Sequence, residues 1–140
     1  MIDSFEGLSE PALKDAIFSG NRPPVVSHQA GHFAIPLVEV QKNLTSFPNL
    51  NFHKGWIPDI FSSLPEDKWS YVHIDVDLYK PTLQSLEYFF PRMATGGVII
   101  NDDYSSPLFP GGGSGWEEFF NKVKKPYIVL DTGQAIFINK

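Results

Sequence analysis

The chain has 140 residues, 42% hydrophobic and 14% aromatic, with a formal net charge of −5, which suits one domain (residues 1–140) around a modest core rich in its 12 phenylalanines. The acidic balance, with a pI of about 5.2, excludes nucleic acid and anionic membrane surfaces as electrostatic partners. The lack of cysteine excludes disulfides and thiolate metal sites and fits a cytoplasmic protein. The start of the chain, Met1 to Glu6, has neither the basic nor the apolar region of a signal peptide, and no apolar run is long enough to span a membrane.

Short apolar runs alternate with amphipathic stretches, which predicts β/α units. Residues 2–11 read as turn-rich, and 12–20 as a brief helix around Leu13, Ala16 and Ile17. Pro23 and Pro24 make 21–24 a loop. Pro36 opens a helix whose apolar face is Leu37, Val40, Leu44 and Phe47, ended by Pro48. Residues 49–55 alternate polar and apolar and read as a strand; 58–64 is a short helix or turn. A strand over 70–75 ends in acid. Pro81 then opens a helix burying Leu83, Leu86, Phe89, Phe90 and Met93. After the Gly96-Gly97 turn, Val98-Ile99-Ile100 is a continuous apolar run, expected to be buried on both faces. Residues 105–115, with two prolines and four glycines, read as a mobile loop over the site. The glycine stretch lacks the Lys-Ser/Thr pair of a phosphate-binding P-loop. Trp116, Phe119, Phe120 and Val123 mark a third helix packed in the core, and two final strands flank Asp131-Thr132-Gly133 as an antiparallel hairpin. The fold class is α/β, a mostly parallel sheet with a C-terminal antiparallel hairpin.

Two strands finish in carboxylates, Asp75-Val76-Asp77 and Asp102-Asp103. Ligands of open α/β sheets bind beyond the carboxyl ends of the strands. Parallel neighbours would bring Asp75, Asp102 and Asp103 into one crevice. Carboxylates held so close repel unless protonated or neutralised by a cation, and hard oxygen donors suit Mg²⁺, Mn²⁺ or Ca²⁺ rather than zinc. A lone Asp after a strand is equally what a turn former gives; two such ends on strands joined by one helix favour metal or catalytic work. Strand alternation turns Asp77 away from Asp75, so Asp77 is expected to cap the following helix. His73 shares a face with Asp75, either near the pocket or as a neutral core histidine. His28, His32 and His53 show no ligand spacing.

The run His73 to Tyr79, Pro81-Thr82, Ser85 to Glu87 and Pro91-Arg92, followed by Gly96 to Ile100 and Asp102-Asp103-Tyr104, resembles the macrocin O-methyltransferase (TylF) family. Asp3 to Leu8, Gly31-His32-Phe33 and Phe52 to Asp59 are similar to that family's upstream segments, so the resemblance covers nearly the whole chain. It implies a Rossmann-like class I methyltransferase fold using S-adenosyl-L-methionine and a divalent cation, typically Mg²⁺, on the metal ligands Asp75, Asp102 and Asp103. Adjacent hydroxyls of a sugar-like acceptor would chelate the cation, and Asp75 would act as catalytic base. Asp3 would bind the cofactor ribose, with Gly55 and Trp56 near the adenine. The chain departs from the family pattern in starting at the tail of the second strand, so strand one and its glycine-rich turn are expected to be missing and the fold incomplete. Residues 105–115 also replace the family's usual Cys-Pro-Gly stretch. With the sheet interrupted, the strand near Asn51 would pair with that near Tyr71 or with another chain, and the open Tyr71 edge predicts a homo-oligomer. Two other readings compete: a non-catalytic binding or assembly module that keeps the fold, and a metal-dependent glycosyltransferase using Asp75-Val76-Asp77 as its DxD.

Overall fold

The structure, a computed structural model, describes residues 1–140. Its centre is a four-stranded sheet. Strands β3 (Trp69–Ile74) and β4 (Met93–Asn101) run parallel, with Val72 opposite Ile99 and Ile74 opposite Asn101. They are joined through helix α2 (Tyr79–Phe89). Helix α3 (Pro110–Val123) leads to the predicted hairpin, β5 (Ile128–Val129) and β6 (Ala135–Ile138). β6 runs antiparallel to both β4 and β5, giving the order β3-β4-β6-β5.

Side chains alternate across a pleated strand. Val72, Ile74, Ile99, Asn101, Ala135 and Phe137 therefore face one way, and all are buried beneath α2 and α3. The spacing of Thr82, Ser85, Leu86 and Phe89 is the i, i+3, i+4, i+7 stripe that α2 presents to the core. The core is aromatic, as the composition predicts: Trp116, Phe119, Phe120, Phe89, Phe61 and Phe137 are all buried in it. The opposite face is bare. Tyr71 is 58% exposed and Ile138 43%, while Val98 and Ile100 are only half-buried. The expectation that Val98-Ile99-Ile100 is covered on both faces is thus corrected: only Ile99 is fully buried, because α2 and α3 both lie on its side.

A second, two-stranded sheet stands apart from the first. Strand β1 (Ile2–Asp3) pairs in parallel with β2 (His53–Lys54). The strand expected over 49–55 shrinks to two residues, and within the chain it pairs with β1 rather than with the Tyr71 strand. Two pairings are parallel and two antiparallel, so the arrangement is mixed rather than mostly parallel. Helix α1 (Leu37–Asn43) buries no residue, and Phe47, placed on its apolar face by periodicity, lies beyond its end and 56% exposed. No sheet surface lies under that face. The helix expected over 12–20 is a single 3₁₀ turn, Leu13–Asp15. No helix is long and apolar enough to cross a membrane.

The glycine-rich stretch read as a mobile loop is the first turn of α3, with Gly111, Gly112, Gly113 and Gly115 buried. Glycine costs a helix about 1 kcal/mol relative to alanine, which is why propensity argues for a loop. Close approach decides the matter here. A Cβ on Gly112 would sit 2.9 Å from the Cβ of Asp103, and one on Gly113 would overlap the Tyr104 carbonyl. Only bare backbone lets α3 lie against the acidic end of β4.

Candidate active site

β3 ends at Ile74 and β4 at Asn101, so Asp75 and Asp102 are each the first residue past a strand, at adjacent parallel ends. The Asp102 N–H donates to the Ile74 carbonyl at 3.0 Å and ties the two ends together. Asn101, 1% exposed, donates from its side chain to the Gly112 carbonyl at 3.0 Å. Its Oδ1 accepts the Asp103 N–H at 3.2 Å. Asp103 is thereby held between β4 and α3.

Donor oxygens of Asp75, Asp77 and Asp103 all lie within 4.8 Å of one another. Asp77 belongs to this cluster and does not cap α2: the N-cap residue is Leu78, and no side chain of the N-cap contributes a hydrogen bond. The alternation argument failed because the strand stops at Ile74 and Asp77 takes a left-handed φ of 61°, which turns the carboxylate back. Asp102 sits beside the cluster. Its Oδ1 accepts from Gln134 Nε2 at 2.7 Å and contacts His73 Nε2 at 3.1 Å. His73 is exposed and so is not a core histidine.

These surroundings split the four carboxyls. The Gln134 hydrogen bond, helped by His73, holds Asp102 below the ordinary carboxylate range. Burial, then repulsion from Asp103 and Asp75, pushes Asp77 up to about 7. Burial and the charges of Asp75 and Asp102 raise Asp103 to about 6, and burial with Asp102 raises Asp75. Asp103 Oδ2 is buried without a hydrogen-bond partner. Clustered oxygen donors, mutual repulsion and an orphaned buried oxygen together fit a divalent, oxygen-preferring cation.

The linkage to stability has a definite sign. A carboxyl whose pKa is higher folded than unfolded favours the folded state when protonated. The cation-free chain is therefore expected to be most stable near pH 4 and to lose stability as pH rises through about 6 and 7, where Asp103 and Asp77 ionise. Thermal melts across pH 4–8 with EDTA check this, and saturating Mg²⁺ should flatten the profile. A stability that climbs across this window without cation would contradict it.

A cleft of about 150 Å³ opens beside the cluster, lined among others by Asp3, Ser4, Gly55, Trp56, Asp75 and Asp77. The sequence-assigned cofactor residues Asp3, Gly55 and Trp56 thus share one wall system with Asp75. Asp102 and Asp103 are not part of that lining. β1 and β2 place Asp3 and Gly55: the Gly55 N–H donates to the Asp3 carbonyl at 2.9 Å. Asp3 Oδ1 accepts the Phe5 N–H at 2.6 Å. Trp56 is 39% exposed and offers an aromatic face. A carboxylate and an indole fit the ribose and base of a nucleoside, and the cleft volume accommodates part of so large a cofactor. Sequence reasoning missed Asp77 and also Gln134, whose only local signal is its place after the hairpin turn.

A profile of the Macrocin-O-methyltransferase (TylF) family matches residues 1–139. The chain is 32% identical over 107 residues to the 8-demethyl-8-(2,3-dimethoxy-alpha-L-rhamnosyl)-tetracenomycin-C 4'-O-methyltransferase of Streptomyces olivaceus, covering 74% of this chain and 40% of that protein. It is 29% identical over 106 residues to the demethyldecarbamoylnovobiocin O-methyltransferase of Streptomyces niveus, covering 73% and 40%. It spans about two-fifths of the length of these relatives. The fold matches that of the O-methyltransferase NovP with a TM-score of 0.76 at 24% identity, over 99% of this chain and 58% of the other. With the family profile spanning the described fold and its acidic cleft, the chain belongs to the TylF macrocin-O-methyltransferase family.

Proposed function

We propose that this chain carries the cation-binding half of an O-methyltransferase that methylates a hydroxyl of a sugar-like small molecule, using S-adenosylmethionine and a divalent cation. The observation that carries the reading is the convergence of Asp75, Asp77 and Asp103 within 4.8 Å, on a cleft shared with Asp3 and Trp56. Two relatives, a methyltransferase of a rhamnosyl-tetracenomycin and a demethyldecarbamoylnovobiocin O-methyltransferase, support the acceptor class.

S-adenosylmethionine would supply the methyl group, and the cation would lower the pKa of the hydroxyl it binds. Asp75, Asp102 and Asp103 would hold the cation, with Asp77 as a further oxygen donor of the same cluster; Asp102, kept ionised by Gln134 and His73, is a standing negative donor. The base role, which the family resemblance gives to Asp75, stays with Asp75 in this reading. Asp3 would bind the ribose hydroxyls, and Trp56 with Gly55 would bound the adenine. The gap between the two sheets and the open Tyr71 edge support an incomplete class I sheet, closed by a further strand or by self-association.

Transfer of labelled methyl from S-adenosylmethionine to a panel of glycosides, with and without EDTA, tests the proposal. The expected result is transfer that EDTA abolishes and Mg²⁺ restores. Transfer indifferent to EDTA would remove the cation from the reading; a protein that neither binds S-adenosylmethionine in calorimetry nor transfers methyl would remove the reaction.

A further inference from the structure

Helix α2 has no cap of its own. Leu78 precedes it and brings no oxygen, so the first N–H groups need a partner from elsewhere. The partner is Asp15, 64 residues away in sequence, whose Oδ1 accepts the Tyr79 N–H at 2.7 Å. Its Oδ2 accepts the Ala12 N–H at 2.7 Å, and the residue is only 7% exposed. α3 is shaped around the same carboxylate: a Cβ on Gly111 would overlap Asp15 Oδ1. Beside it, Lys14 Nζ reaches the Tyr79 hydroxyl at 2.8 Å and pairs with Glu118 of α3.

We propose that Asp15 is a positioning residue for the carboxylate cluster, fixing the Asp75-Val76-Asp77 bend in the shape that receives the cation. The inference rests on the functional reading above. The bend is the short link between β3 and α2. Its entry is tied where the Asp102 N–H meets the Ile74 carbonyl. Its exit is Tyr79, whose backbone N–H is held by Asp15 while its exposed hydroxyl contacts Lys14 and Glu118. Between them Asp77 keeps a left-handed backbone, which costs a non-glycine residue about 1 kcal/mol and persists only where the flanks are held. Releasing the exit lets Asp77 return to an ordinary conformation and carries its carboxylate out of the cluster. The Asp15 carboxylate bonds the Ala12 and Tyr79 N–H groups and none of the three clustered carboxylates; it acts through the helix end, as outer partners of metal ligands do.

The test is Mn²⁺ affinity of the whole chain, read by electron paramagnetic resonance below the melting temperature of each variant. Asp15→Ala is expected to weaken binding about tenfold or more, and the isosteric Asp15→Asn, which gives up one acceptor, about threefold. Lys14→Ala loosens the same turn through its exposed contacts alone and is expected to stay within about twofold of the native chain. Native affinity in Asp15→Ala overturns the proposal, as does an equal loss in Lys14→Ala, which would make docking of the turn the cause. If Asp15→Ala does not fold, Asp15→Asn decides: affinity equal to native overturns it. A native chain that binds no Mn²⁺ overturns the cation reading on which the proposal stands.

Discussion

Asp103→Asn is expected to stabilise the cation-free chain while crippling its chemistry. Asp103 is buried, its Oδ2 has no partner, and its charge is opposed by Asp75 and Asp102. The amide keeps the shape, removes one of the repelling charges and adds a donor facing the remaining carboxylates. At pH 8 with EDTA the melting temperature should rise by about 3 °C, the shift that about 1 kcal/mol gives in a domain of this size. The gain should vanish near pH 4, where the native carboxyl is protonated. Methyl transfer should fall by about 10³-fold, because losing a charged ligand forfeits several kcal/mol of transition-state stabilisation. Calorimetric melts and the labelled-methyl assay measure the two effects. A variant that loses stability and activity together would mark Asp103 as a structural carboxylate.

The second large effect lies in the core. Trp116 is fully buried, 4.5 Å from the ring of Phe120 and 5.7 Å from that of Tyr127. Trp116→Ala is expected to cost about 3–5 kcal/mol, a large share of the about 5–15 kcal/mol that holds a typical domain together. Trp116→Phe should be mild, below about 1.5 kcal/mol, since the indole N–H it deletes is buried with no acceptor. Urea unfolding followed by circular dichroism distinguishes them. An alanine variant within about 1 kcal/mol of native would show that the interior can refill the space, against the behaviour of most packed cores.

Features governed by local pattern were legible. The apolar run ending in Asn101 and the strand ending before Asp75 announced two parallel strands with acid at their carboxyl ends, and the Asp131-Thr132-Gly133 turn announced the hairpin. Features governed by contacts distant in sequence were not. Asp77 was assigned to a helix cap because nothing in its neighbours reveals a left-handed backbone. Gly111 to Gly115 reads as loop by propensity, yet the reason for glycine is the Asp103, Tyr104, Asp15 and Tyr79 atoms it must approach. No local pattern marks Asp15 as a cap, because the helix it caps begins 64 residues later. The periodicity of α1 was real but predicted burial, and an apolar stripe is buried only where a surface exists to receive it.

The separation into two sheets has a consequence for how the molecule breathes. Only five of the 28 buried residues precede Phe61, so the part holding Asp3 and Trp56 has little cohesion of its own, whereas the four-stranded sheet and its two helices hold most of the core. Amide protons around β1 and β2 should exchange with solvent through local openings that leave the Asp103 region protected. A ligand spanning the cleft, touching Trp56 at one end and Asp75 at the other, would then act as a rivet between a loose half and a firm one. Its binding energy would be spent largely in suppressing those openings.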